Sequence, residues 1–129
     1  MAQILISESH EDVRRLLARM LTRLGHEPIV VTVPAPELLL SADVLVVEPA
    51  APIGAVLTQA AGLVNPALPM ICASVASPPA ELAELGIVFA ASLVKPFTAE
   101  QLAAAIGRSL RIDRGRDAYR AQRHGDRAA

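Results

Sequence analysis

The chain has 129 residues, which fits one domain with a sizeable core and excludes a catalytic domain joined to a regulatory one. Apolar residues make up 53% and charged residues 19%, which excludes a disordered chain, and the net charge is only −1. The one cysteine, Cys72, cannot form an internal disulfide, the histidines are too few for a zinc cluster, and every apolar stretch is broken before the ~20 residues of a membrane span, so a soluble, cytoplasmic protein is expected.

The opening, Met1 to Ser7, lacks the basic region of a signal peptide. Within it Gln3 to Ile6 is a short apolar run that reads as a buried strand, followed at once by the polar group Ser7, Glu8, Ser9, His10 and Glu11. From Asp12, apolar residues recur at Val13, Leu16, Leu17, Met20, Leu21 and Leu24, a helical stripe with Gly25 at the stop position. His26 to Val33 contains a β-branched run that reads as a strand closed by Pro34, and Pro36 to Leu40 supplies a short helix or a turn. Asp43 to Val47 is a second fully apolar strand, ending in Glu48 and Pro49.

Ile53 to Leu63 reads as a helix, with Gly54 and Gly62 weakening its ends. Pro69 to Ala73 is a further buried strand, followed by Ser74 and a Ser77-Pro78-Pro79 loop, and Ala80 to Leu85 makes a brief helix. Ile87 to Val94 is the fifth strand, and Lys95-Pro96-Phe97 the turn after it. Thr98 and Gln101 have capping-box spacing for a last helix that runs to about Leu110 or on into the tail. Residues 108–129 carry seven arginines against three aspartates, net +4, whereas residues 1–107 carry ten acids against five bases, net −5. A domain over 1–110 with an Arg-rich extension over 111–129 follows.

Five apolar strands, each followed by a helical segment, call for an α/β fold whose parallel sheet is covered on both faces. Chemistry in such sheets gathers beyond the carboxyl ends of the strands, which selects Glu8, Ser9, Glu48, Ser74 and Lys95. Lys95 is the only lysine. Cys72, inside an apolar strand, is a core residue, and a lone loop histidine such as His10 is ordinarily neither ligand nor phosphoryl acceptor.

The segments ILISESHEDVRRLLARMLTRLGHE, DVLVVEP with Pro52 soon after, PMICAS and LVKPF, taken in order and spacing, resemble the response-regulator receiver domain of two-component signalling over Gln3 to Leu110. The resemblance implies a flavodoxin-like, doubly wound five-stranded parallel sheet in the order 2-1-3-4-5. It also implies a phosphorylatable Asp after the third strand, an acidic Mg²⁺-binding pair after the first, a hydroxyl after the fourth and a lysine after the fifth. On this chain those positions hold Glu48, then Glu8 with Ser9, then Ser74, then Lys95, and Ser92 stands where the aromatic switch residue is usual.

Glutamate reaches farther than aspartate by one methylene, about 1.5 Å, so the Glu48 carboxylate extends into the space of a phosphoryl group. In-line attack tolerates little misplacement, and an error on the order of 1 Å costs ~10²-fold. Glu8 and Glu48 supply two Mg²⁺ oxygens, but Ser9 removes a charge, so at most weak metal binding is expected and no resident cofactor. Phosphorylation at the aspartyl position is therefore expected to be absent or very slow. Glu48, with Lys95 and the Ser74 hydroxyl as its natural partners, is a structural ion pair, a permanent phosphoryl mimic or a residual acceptor. Glu8 is either a solvated loop acid or a weak metal ligand.

These features point to a stand-alone, atypical receiver, not an enzyme, that acts through protein–protein contact with a histidine kinase, another signalling protein or a second copy of itself. The alternatives are a phosphorylation-competent regulator and a nucleic-acid-binding regulator using the Arg-rich tail. The three aspartates interleaved in the tail and its one aromatic residue, Tyr119, disfavour nucleic acid.

Overall fold

A computed structural model of the chain describes residues 1–111. Its elements are β1 (Gln3–Ser7), α1 (Glu11–Arg23), β2 (Glu27–Val30), α2 (Pro36–Ser41), β3 (Val44–Val47), α3 (Pro52–Val64), β4 (Met70–Ser74), α4 (Ala80–Glu84), β5 (Ala91–Val94) and a helix over 99–111, here α5. All strand pairs are parallel, and the sheet order is β2-β1-β3-β4-β5. This is the doubly wound arrangement expected. From residue 112 the Arg-rich extension lies outside the described residues. Among the described residues, no helix is long and apolar enough to cross a membrane.

The strands lack polar alternation because each face of the sheet has its own core. Ile4 and Ile6 of β1, Val44 and Val46 of β3 and Ile71 and Ala73 of β4 pack with Leu17 and Leu21 of α1 and Leu102 and Ile106 of α5. Their neighbours Leu5, Leu45, Val47 and Met70 point the other way, against Leu39 of α2 and Leu57 and Ala61 of α3. A period of two thus divides one strand between two apolar layers. Each fully buried Leu or Ile contributes roughly 1.5–3 kcal/mol.

Glycine ends two of the helices. Gly25, at φ +86°, donates its N–H to Thr22 while His26 donates to Leu21, so the last carbonyls of α1 are satisfied by a Schellman turn. Gly86, at φ +78°, repeats the motif after α4, with its N–H on Ala83 and that of Ile87 on Leu82. This second turn corrects the expected strand over Ile87 to Val94. Ile87 is tied to α4, pairing with β4 begins only at Ala90, whose N–H reaches the Met70 carbonyl, and the strand covers Ala91–Val94. The strand expected over His26 to Val33 is likewise shorter. It ends at Val30, with one further bond from the Val31 N–H to Ile6 before the chain turns toward Pro34. At the start of α5, Thr98 and Gln101 exchange side-chain and backbone bonds of 3.1 and 2.8 Å, a complete capping box.

Candidate functional site

The register places the site. Ser7 at the end of β1 pairs with Val47 at the end of β3, so the next residues, Glu8 and Glu48, emerge side by side. The Glu48 N–H bonds the Ser7 carbonyl at 3.2 Å and extends the ladder one step. On the other flank Ser74 pairs with Val94, and the Lys95 N–H bonds the Ser74 carbonyl at 2.9 Å. The Lys95–Pro96 peptide is cis.

The Lys95 side chain crosses to the centre of the sheet. Its ammonium lies 2.5 Å from Glu8 Oε2 and 3.4 Å from Glu48 Oε2, so one cation bridges two carboxylates. Side-chain exposures are 2% for Glu8, 18% for Glu48 and 14% for Lys95, which grades the site from a buried acid to a partly wet one. At this spacing and an effective dielectric of about 20, the Lys95–Glu48 pair gains roughly 5 kcal/mol before desolvation, which offsets much of it. The other Glu8 oxygen accepts the His10 backbone N–H at 3.1 Å, so both of its oxygens are engaged. The Ser9 hydroxyl donates to Glu48 Oε2 at 3.5 Å, and Arg14 Nη1 donates to the Glu8 carbonyl at the same distance.

Two expectations change. Glu8 is not a solvated loop acid, being buried and the nearer partner of Lys95. The hydroxyl on Glu48 comes from Ser9 and not from Ser74, whose Oγ instead accepts the Ala76 N–H at 3.4 Å. Ser74 is buried at the end of β4, Ser92 is exposed on β5, and the His10 side chain has no hydrogen-bond partner among the described residues. Burial pushes the Cys72 thiol up, the Glu48 carboxylate adds to that, and Lys95 opposes it. Cys72 is therefore a buried neutral group at the edge of the charged cluster.

Gly54, expected to weaken the end of α3, is instead required there, because its position depends on the missing side chain. A Cβ there would stand 1.8 Å from the Glu48 carbonyl oxygen. The first turn of α3 thus packs directly on the backbone that carries Glu48. The Gly54 carbonyl also accepts the buried Thr58 hydroxyl at 2.7 Å. A glycine six residues beyond a strand-end acid was the available signal for this close approach.

The residues do not suit a resident Mg²⁺. That ion needs several oxygen ligands in near-octahedral geometry, whereas here an ammonium already lies between the two carboxylates and Glu8 has no free oxygen. No group of three or more His, Cys, Asp or Glu among the described residues could hold a metal.

No protein-family model and no curated protein matches the chain. Solved structures do. NtrX from Brucella abortus in complex with ADP superposes with a TM-score of 0.79 at 19% identity over 95% of this chain, although the chain spans only 29% of NtrX. The Vibrio cholerae chemotaxis protein CheY4 superposes with a TM-score of 0.70 at 21% identity, over 85% of this chain and 99% of that one. A response regulator receiver domain protein from Clostridium thermocellum gives 0.73 at 18%, over 86% and 95%. With the sheet order and the strand-end geometry, these likenesses show that the chain has the fold of response-regulator receiver domains.

Proposed function

We propose that the chain is a receiver domain of two-component signalling that works through protein–protein contact and neither accepts a phosphoryl group nor turns over a substrate. The observation that carries this reading is the bridge from Glu8 through Lys95 to Glu48. In a phosphorylating site the acceptor carboxylate must be free to attack and a metal must neutralise the incoming phosphoryl oxygens. Here the acceptor position holds a longer acid already paired with the lysine, and the second acid of the metal pair is Ser9. The site is thus set permanently in one charge state, without a resident Mg²⁺.

The partner is a cytoplasmic signalling protein: a histidine kinase, another regulator or a second copy of the chain. The contact face is that of β4, β5, α4 and α5, where Val75, Ser92 and Val94 are exposed. Intact-mass measurement after incubation with acetyl phosphate and MgCl₂ tests the proposal. The natural chain stays unmodified, whereas a Ser9→Asp, Glu48→Asp double variant, with both acids restored, gains a phosphoryl adduct. An adduct on the natural chain that vanishes in Glu48→Gln overturns it.

A further inference from the structure

The opposite end of the sheet has a second feature. Between the C-terminal half of α3, the segment joining α4 to β5, and α5 lies a groove of about 670 Å³, lined by Gly62, Leu63, Leu85, Val88, Phe89 and Arg108 among others. Three aliphatic side chains there are unusually open to solvent: Leu63 at 85%, Leu85 at 63% and Val88 at 81%. The helix forming one wall, α3, has the sequence PIGAVLTQAAGLV, with no charged residue on any face. Leu57 and Ala61 fill the core, while Val56 and Leu63 are exposed on its outer side. An uncharged helix whose outer side exposes Val56 and Leu63, with Gln59 as the polar residue between them, has apolar surface left for something to cover.

Charge narrows what covers it. Arg108 is the only charged residue lining the groove, and it makes no ion pair with the described residues. It is also the first of the seven arginines of the 108–129 stretch, whose net charge is +4. An apolar floor beside the start of a basic segment is complementary to a ligand that is apolar on one side and anionic on the other. Its exposed aliphatic side chains come from α3 and from the segment joining α4 to β5, a spread that suits one face of a helix.

We infer that this groove docks an acidic amphipathic helix of a partner protein, with aliphatic side chains against Leu63, Leu85 and Val88 and carboxylates toward Arg108. The inference rests on the interaction-module reading above and gives its partner a chemistry.

Fluorescence anisotropy with the full chain tests it, using a labelled synthetic helix that carries leucines on one face and glutamates on the other. Saturable binding is expected, weakened about tenfold or more by Leu63→Asp and by Arg108→Glu. Both side chains are exposed, so circular dichroism should show the fold intact in each variant. Peptides with lysine for glutamate, or serine for leucine, should not bind. The inference is overturned by absence of saturable binding or by binding indifferent to Leu63→Asp. It is equally overturned by a single-stranded oligonucleotide outcompeting the peptide, or by a dimer in sedimentation that Leu63→Asp dissociates. Phosphoryl uptake measured on the same Leu63→Asp protein separates the two claims, since peptide failure without an adduct leaves the module reading standing.

Discussion

At the scale of single residues the central feature is one ammonium shared by two acids. Lys95→Met leaves Glu8 buried without its cation, and a broken buried pair costs about 3–5 kcal/mol. Chemical denaturation should show a loss of that size, and a second change, Glu8→Gln, should recover part of it. Ser7 offers the reverse case. Its hydroxyl is buried and has no hydrogen-bond partner. Ser7→Ala is therefore expected to raise unfolding stability by about 1 kcal/mol. Glu8, Glu48 and Lys95 were legible in the sequence because each follows an apolar strand, and parallel strands end together. The Ser9 contact was not, since a residue beside the acid can turn inward or outward and only the loop conformation decides. For the same reason Ser74 could be placed at a strand end but its hydroxyl partner could not be chosen.

Elements explain which substitutions the site tolerates. Gly to Ala within a helix ordinarily stabilises by up to about 1 kcal/mol. At Gly54 the sign reverses, because the new methyl group would overlap the Glu48 carbonyl, and Gly54→Ala should cost about 1–3 kcal/mol in thermal unfolding while displacing Glu48. Strand β4 carries a second test. The Cys72 thiol is held above its ordinary pKa, chiefly by burial. Above about pH 8.5 the unfolded chain loses that proton while the folded chain keeps it, so the folded state binds more protons and stability falls as pH rises. The contribution is whole below the ordinary thiol pKa and lost as pH climbs through the raised one. Denaturation midpoints taken from about pH 7 to 10 should decline in the natural chain, with a shallower decline in Cys72→Val. Helix limits were readable where capping chemistry marks them, as at Gly25 and Thr98. The late start of β5 carried the same mark, because Leu85-Gly86 repeats Leu24-Gly25, and the β-branched residues that follow masked it.

For the molecule as a whole, two apolar layers on one sheet explain why strands without alternation appear in so small a chain. That much follows from the hydrophobic pattern. The strand order came from the family resemblance, since periodicity alone does not rank neighbours in a sheet. The groove beside α3 was illegible, because Leu63 and Val88 look like core residues until the layers are assembled. The sheet thus has two distinct ends, a charged one where a single ammonium bridges two carboxylates and an apolar one left open. Because Lys95 is the only lysine in the chain, its signal in a ¹⁵N-lysine-labelled sample reports the bridge without ambiguity. The side-chain ammonium resonance should shift in Glu48→Gln and stay in place as MgCl₂ is added to millimolar levels. A saturable shift of that resonance on adding Mg²⁺ would contradict the account, by showing that the metal displaces the lysine and takes the two carboxylates for itself.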